Sequence, residues 1–180
     1  MSSLPVPDRV AVPADPRDLP GPFRFRRPVE IRFGDTDAMG HVNNAVYLTY
    51  CELARASYYE AVTGRMMLAG DGHAAAVPAA SAPPTEDSQF ILAEARLTFR
   101  APAYFGETLM VEVRAVSVGR TSFRLEYRLT APDSPFGQAR LIAVADSVLV
   151  AYDYRAGRPL ALPAGLVADL ERFEGRPLRG

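Results

Sequence analysis

The sequence predicts an α+β domain in which an antiparallel sheet packs on one main helix. Two patterns carry that prediction. Residues 45–62 hold no Pro or Gly, and Tyr47, Cys51, Ala54, Tyr58 and Ala61 recur at helical spacing. From Gln89 onward, apolar and polar residues alternate with period two in successive short runs. The order is one strand, a long helix, then four strands, three of them close in sequence. No internal repeat is evident.

Each element has its own signature. Residues 1–22 contain six prolines and no apolar period, which marks a flexible leader or a strap lying on the surface. The first strand is read at 28–34, where Val29, Ile31 and Phe33 alternate with Glu30 and Arg32. The helix follows at about 44–62 and closes at Gly64. Residues 63–88 hold seven alanines, three glycines and three prolines, a connection longer than a compact domain usually needs. A short helix around 65–70 is compatible with its start.

The second strand places Ile91, Ala93, Ala95, Leu97 and Phe99 on one side and Leu92, Glu94, Arg96 and Thr98 on the other. Ala101-Pro102 and Gly106 interrupt it. Leu109, Val111 and Val113 mark the third strand, and Phe123, Leu125, Tyr127 and Leu129 the fourth. Pro132, Pro135 and Gly137 mark a loop. Residues 139–152 are apolar on both parities around Asp146-Ser147, as in a strand buried on two faces. Leu166 to Phe173 forms a short terminal helix started near Pro163. The organisation expected is a leader, 1–22, and one domain, 23–180, with 63–88 as a long insertion.

Composition excludes several function classes. A chain of 180 residues with 48% hydrophobic and 23% charged residues has the make-up of a soluble globular protein. A net charge of −1 without a basic block argues against nucleic acid or an anionic membrane as the main partner. Cys51 is the only cysteine, so no intrachain disulfide and no thiolate metal site is expected. His41 and His73 are the only histidines, so a zinc site is not expected either. No apolar run is long enough to span a membrane, and no signal peptide is visible, which makes the cytoplasm the default location.

The chemistry concentrates in Phe33-Gly34-Asp35-Thr36-Asp37-Ala38-Met39-Gly40-His41-Val42-Asn43-Asn44-Ala45-Val46-Tyr47. This polar run sits on the turn from strand to helix. A helix N-terminus leaves backbone N–H groups unpaired and is the positive end of the helix dipole. Developing negative charge is stabilised there, and an acid/base residue beside it suggests catalysis.

With these residues and this element order, the chain resembles the hotdog-fold thioesterases, specifically the 4-hydroxybenzoyl-CoA thioesterase-like group. The strongest match is residues 29–60: a strand, Asp35-Thr36-Asp37, Gly40-His41-Val42-Asn43-Asn44, then Tyr47 and the pair Ala54-Arg55 on the helix. Arg100-Ala101-Pro102 with Gly106-Glu107 is similar to a second family segment. Gly119-Arg120-Thr121-Ser122 and Arg158-Pro159 match more weakly. The resemblance covers roughly 28–173. It leaves 1–22 and the length of 63–88 unexplained.

The resemblance implies a five-stranded antiparallel sheet curled around the long helix, and a homodimer or homotetramer with active sites between subunits. It implies hydrolysis of an acyl-CoA thioester, with coenzyme A as part of the substrate and no cofactor. It makes Asp37 the nucleophile or general base, and the backbone N–H of about Asn44 the group that polarises the thioester carbonyl. Glu52 lies on the helix, but its spacing does not correspond to the helix-borne glutamate some hotdog thioesterases use.

Each residue also has a plainer reading. Asp37 can be a helix cap or turn aspartate, and His41 a second base, a substrate contact or a satisfied turn residue. Asp35 is read as structural. Asn43 and Asn44 are good caps. Gly40, Asn43 and Tyr47 are candidate substrate contacts, Tyr47 in an acyl pocket or simply in the core. Arg55 is read as bonding structural carboxylates. Arg100, Arg120 and Ser122 are candidates for the phosphates of coenzyme A, or ordinary surface residues. Segment 63–88, with Met66, Met67 and Leu68, is either a mobile cover tuning acyl-chain choice or a surface loop. The alternatives to acyl-CoA hydrolysis are hydrolysis of an acyl carrier protein thioester and a non-catalytic acyl-thioester-binding protein of the same fold. Hotdog dehydratases place His before Gly and Pro, whereas Val42-Asn43-Asn44 follows His41 here.

Overall fold

A computed structural model describes residues 19, 21–65, 90–154 and 156–179. Its elements are β1 (Phe25–Glu30), a 3-10 turn (Phe33–Asp35), α1 (Val46–Thr63), β2 (Phe90–Phe99), β3 (Thr108–Val118), β4 (Ser122–Ala131), β5 (Arg140–Asp153), β6 (Arg158–Pro159) and α2 (Ala164–Glu174). All strand pairs are antiparallel. The order across the sheet is β1-β3-β4-β5-β2, and the two-residue β6 pairs with the end of β5. The expected α+β architecture and five main strands are therefore present. The expected helix at 65–70, and all of 63–88 beyond Arg65, lie outside the described residues, as does most of 1–22.

α1 lies on the concave face because one stripe of it is apolar. Tyr47, Tyr50, Cys51, Ala54, Tyr58 and Tyr59 are buried there against Val111, Val113, Leu125 and Tyr127 of the sheet. The helix ends at Gly64, whose φ of +70° is the left-handed stop that glycine takes without steric cost. At the other end Asn43 accepts the Ala45 N–H at 2.9 Å through its side-chain oxygen.

The first strand is shorter than the alternation predicts. It ends at Glu30, and Phe33 stands 77% exposed instead of continuing the buried row. The Asp35 N–H bonds back to the Arg32 carbonyl at 3.0 Å and the Thr36 N–H to that of Phe33 at 3.2 Å, coiling the backbone into a 3-10 turn.

Two bulges move side chains to unexpected faces. In β2 the register slips between Leu92 and Glu94. Leu92 therefore pairs with Leu149 and Ala95 with Ser147 on the concave side, while Ile91, expected beside Ala95, takes the other face. In β3 the slip lies between Ala115 and Ser117. It frees the Ala115 N–H from the ladder, and the helices fill the gap. That N–H donates to the Glu174 carboxylate at 2.9 Å and to the Tyr58 hydroxyl at 3.2 Å. The Tyr58 hydroxyl donates to the same Glu174 oxygen at 2.6 Å, and Arg176 donates to the Ala115 carbonyl at 3.0 Å. A buried glutamate is held in place because every donor around it is used.

The convex face is charged. Arg114 pairs with Glu126 at 2.7 Å, Arg128 with Glu112 at 2.6 Å and Arg124 with Asp146 at 2.8 Å. Phe23 lies over this face, between the guanidiniums of Arg114 and Arg128 at 4.4 and 4.5 Å from its ring centre.

Glu174→Ala should lower stability at neutral pH by about 2–3 kcal/mol, because it removes an acceptor shared by two buried donors. Urea unfolding checks this; a midpoint within error of wild type would show that the β3 bulge does not depend on α2.

Candidate active site

Strand directions sort the loops into two ends. Glu30 pairs with Thr108, and Phe99 pairs with Ala143, so the reactive turn, the 100–107 turn and the 132–139 loop share one end. The 119–121 turn, the end of α1 and the start of β2 share the other. β3 spans the distance with 11 residues, about 35 Å at ~3.3 Å per residue.

The reactive turn is a closed loop. Thr36 and Val42 form an isolated antiparallel bridge. Inside it the Asp37 N–H donates to the His41 carbonyl at 3.0 Å, and the Gly40 N–H to that of Asp37 at 3.0 Å. Gly40 has φ +85°, which explains glycine at this position. The Asp37 side chain accepts the Met39 N–H at 2.8 Å. His41 Nδ1 lies 3.7 Å from the same Asp37 oxygen, and the two side chains are 37% and 32% exposed, so a substrate can reach both.

The turn is fastened from three sides. The Val42 N–H donates to the Ala103 carbonyl at 2.8 Å, and the Ile31 N–H to that of Glu107 at 3.1 Å. Glu107 is fully buried. Its carboxylate receives Arg140 at 2.6 Å, the Tyr104 N–H at 2.8 Å and the Ser134 hydroxyl. Tyr104 packs edge-on to His41 at 6.3 Å between centroids. These supporting residues are not in the motif; Glu107 after Gly106 was the one sequence signal for them.

The third fastening is Asp35, which is 4% exposed. It accepts the Arg32 N–H at 2.9 Å, the Arg32 guanidinium at 3.0 Å and the Tyr50 hydroxyl at 2.8 Å. Its own carbonyl accepts the Asn43 N–H at 2.9 Å. Burial pushes its carboxyl up, but the bonds from Arg32 and Tyr50 outweigh burial and hold it below the ordinary 3.8. The structural reading of Asp35 fits these bonds.

Asp37 and His41 thus lie side by side on the turn that leads into α1, and Asn43 and Asn44 follow at the helix start. Asn44 is exposed, and its N–H has no acceptor among the described residues. Tyr47 is 2% exposed, with its ring against Phe99 at 5.1 Å and Tyr50 at 6.0 Å, so it is a core residue. Burial raises its hydroxyl to about 12. Arg100 follows β2 at the reactive end, its N–H bonded to the Ile142 carbonyl at 2.8 Å. Arg120 and Ser122 stand at the opposite end, and a single chain does not bring them to Asp37. No group of three or more metal-ligating side chains occurs among the described residues, and no helix there is long and apolar enough to cross a membrane.

A model of the thioesterase-like superfamily matches residues 31–170, which contain both the reactive turn and the sheet. The chain belongs to this superfamily. Its fold is the hotdog. A thioesterase from Thermus thermophilus, solved with coenzyme A and Zn, is 34% identical with a TM-score of 0.65, covering 87% of this chain and 98% of that one. The 1,4-dihydroxy-2-naphthoyl-CoA hydrolase of Synechococcus elongatus is 31% identical over 125 residues, 67% of this chain and 78% of that protein. The 4-hydroxybenzoyl CoA thioesterase from a Pseudomonas species, at 19% identity, covers 81% of this chain and 97% of its own, with a TM-score of 0.63; it shares the fold.

Because the Asp35 carboxyl is held below its unfolded value, its contribution to stability is present above about pH 4 and lost as pH falls through the folded pKa. Asp35→Asn should cost about 1–3 kcal/mol at pH 7. The gap to wild type should close below about pH 4. Urea midpoints across that range measure it, and a gap independent of pH would contradict the ionised network.

Proposed function

We propose that this superfamily member is an acyl-CoA thioesterase, releasing a free acid and coenzyme A. The observation that carries this reading is an accessible carboxylate, Asp37, on the turn that leads to the Asn44 N–H, which has no acceptor among the described residues and stands at the start of an 18-residue helix. The similarity to a coenzyme A-bound thioesterase along nearly the whole of that chain supports the same substrate class.

The chemistry follows from the parts. A thioester carbonyl seated at the helix start receives the Asn44 N–H, which stabilises the oxyanion that forms on attack. Asp37 supplies the attack in one of two ways. As base it takes a proton from water, whose oxygen adds to the carbonyl. As nucleophile it adds directly, and water then hydrolyses the anhydride. Either way the C–S bond breaks and the coenzyme A thiolate leaves. His41 stands beside Asp37 to orient it or to relay a proton. Gly40 and Asn43 shape the turn. No cofactor takes part.

The working unit in this reading is at least a dimer. β1 carries Pro28, a residue suited to an edge that pairs no further. β2 has no strand on its outer side among the described residues, and Leu48, Leu92 and Phe99 on or beside it are each 43–46% exposed. Pairing through β2 covers that margin. A second subunit is also what would bring Arg120 and Ser122 to a substrate held at Asp37.

Thiol release from a panel of acyl-CoAs tests the activity, and Asp37→Asn should lower kcat by about 10²–10⁴-fold with an unchanged fold. A variant that keeps more than a tenth of wild-type kcat would remove Asp37 from the chemistry.

Sedimentation at micromolar concentration should show a dimer or larger assembly. A fully active monomer would sink the shared-site reading.

A further inference from the structure

The backbone of the reactive turn does not fix the His41 imidazole. The Asp37 N–H closes the turn on the His41 carbonyl, but the ring can still rotate about its side-chain torsions. Nδ1 stands 3.7 Å from Asp37 Oδ1, beyond hydrogen-bond length, and the side chain is 37% exposed. The other polar or ring contact of this imidazole among the described residues is Tyr104, 6.3 Å away between centroids with the planes at 63°. A free torsion spreads an acid/base group over several rotamers, whereas proton transfer needs it within reach of one atom. Whatever holds the Tyr104 ring therefore sets how often His41 stands beside Asp37.

The Tyr104 ring is held from a buried charge. Glu107 closes the 104–107 turn twice: its carboxylate accepts the Tyr104 N–H at 2.8 Å, and its own N–H donates to the Tyr104 carbonyl at 3.2 Å. Both oxygens of that carboxylate, 0% exposed, accept from Arg140, at 2.6 and 2.9 Å. The Arg140 guanidinium in turn lies over the Tyr104 ring, 5.7 Å from its centre. Phe136 packs edge-on to the same ring at 5.5 Å. The first residue of β5 and the 132–139 loop thus clamp Tyr104 together. The neighbouring Ala103 carbonyl takes the Val42 N–H at 2.8 Å, which sets the two turns side by side so that Tyr104 meets His41. A buried ion pair is a poor source of net stability, because desolvation offsets its attraction. This pair fixes one ring, and that ring touches the imidazole.

Resting on the thioesterase reading, we propose that Tyr104 is a positioning residue for His41: its ring holds the imidazole beside Asp37, and Glu107, Arg140 and Phe136 hold the ring. Its part is to orient His41, not to meet the reacting atoms. The contribution comes from the ring and not from the hydroxyl, which has no hydrogen-bond partner among the described residues. Tyr104→Phe therefore keeps the contact and Tyr104→Leu removes it. Both variants leave the backbone N–H at 104 bonded to Glu107.

Imidazole relaxation and steady-state kinetics on the full chain test this. His41 and His73 are the only histidines, so labelling the ring Cε1 with carbon-13 gives two signals, and His41→Gln tells them apart. In wild type and in Tyr104→Phe the His41 ring should be ordered, with an order parameter of about 0.85; in Tyr104→Leu it should fall below about 0.6. Phe136→Ala removes an exposed ring that backs Tyr104 and should loosen His41 in the same direction. A mobile His41 ring in wild type overturns the proposal. So does a ring that stays ordered in Tyr104→Leu, or in Phe136→Ala where the first variant does not fold. In hydrolysis of acyl-CoAs, Tyr104→Leu should lower kcat about ten-fold or more with KM changed less than about three-fold. Added to His41→Gln, it should cost less than about a further two-fold. Losses that multiply in the double variant, or a His41→Gln enzyme with wild-type kcat, overturn the positioning role and leave the thioesterase reading standing. An ordered, Tyr104-dependent His41 in a chain that hydrolyses no thioester overturns the thioesterase reading and leaves Tyr104 as the anchor of the imidazole.

Discussion

The Asp35 carboxylate gathers donors from three places at once: the backbone before the 3-10 turn, the Arg32 guanidinium and the Tyr50 hydroxyl on α1. Its carbonyl adds a fourth tie, to Asn43. The end of β1, the start of α1 and the loop between them are therefore fixed relative to one buried charge. The loop that results is the one carrying Asp37 and His41. A turn of this kind has few apolar contacts of its own, and Phe33 and Met39 are each 77% exposed. Its geometry has to be imposed from below by hydrogen bonds to a charged group, which are stronger than neutral ones. The buried Glu107 does the same from the side of the 100–107 turn.

This explains which parts of the molecule are readable from sequence. α1 is legible because its stripe from Tyr47 to Tyr58 is unbroken and its end is marked by Gly64. The reactive turn is legible because Gly40 and the Asp, His and Asn residues crowd a strand-to-helix junction. Phe33 misleads because alternation continues in composition after the strand has stopped; the local Arg32–Asp35 bonds that stop it are backed by the tertiary ties of Tyr50 to Asp35 and Ile31 to Glu107. Ile91 misleads because a bulge flips parity without changing composition. The same holds for β3 at Ala115, where no glycine or proline announces the slip. Motif similarity groups Arg120 and Ser122 with Asp37, whereas the topology of one chain sets them a strand length apart.

The helix also shows how one element serves two environments. It is exposed at Ala45, and the Asn44 N–H just before it has no acceptor among the described residues. Its middle is aromatic and closed, with Tyr47 and Tyr50 packed into the core. Leu48 and Arg55, with the buried Cys51 between them, border the β2–β5 side of the sheet. The apolar margin of β2 lies on that same side.

The plug in the β3 bulge has a consequence for how the chain reaches this state. The Glu174 carboxylate joins Tyr58, 116 positions earlier, to a backbone group 59 positions earlier. Neither contact can form until the terminal helix has been synthesised and has docked. Contacts of such long sequence separation carry a large loop-closure cost and slow the search for the native topology. The sheet and α1 can assemble before then with the Ala115 N–H bonded to the Tyr58 hydroxyl alone. Docking of the last helix thus adds the charged acceptor to a bond already made by Tyr58, and it links the order of synthesis to the cooperativity of the finished fold.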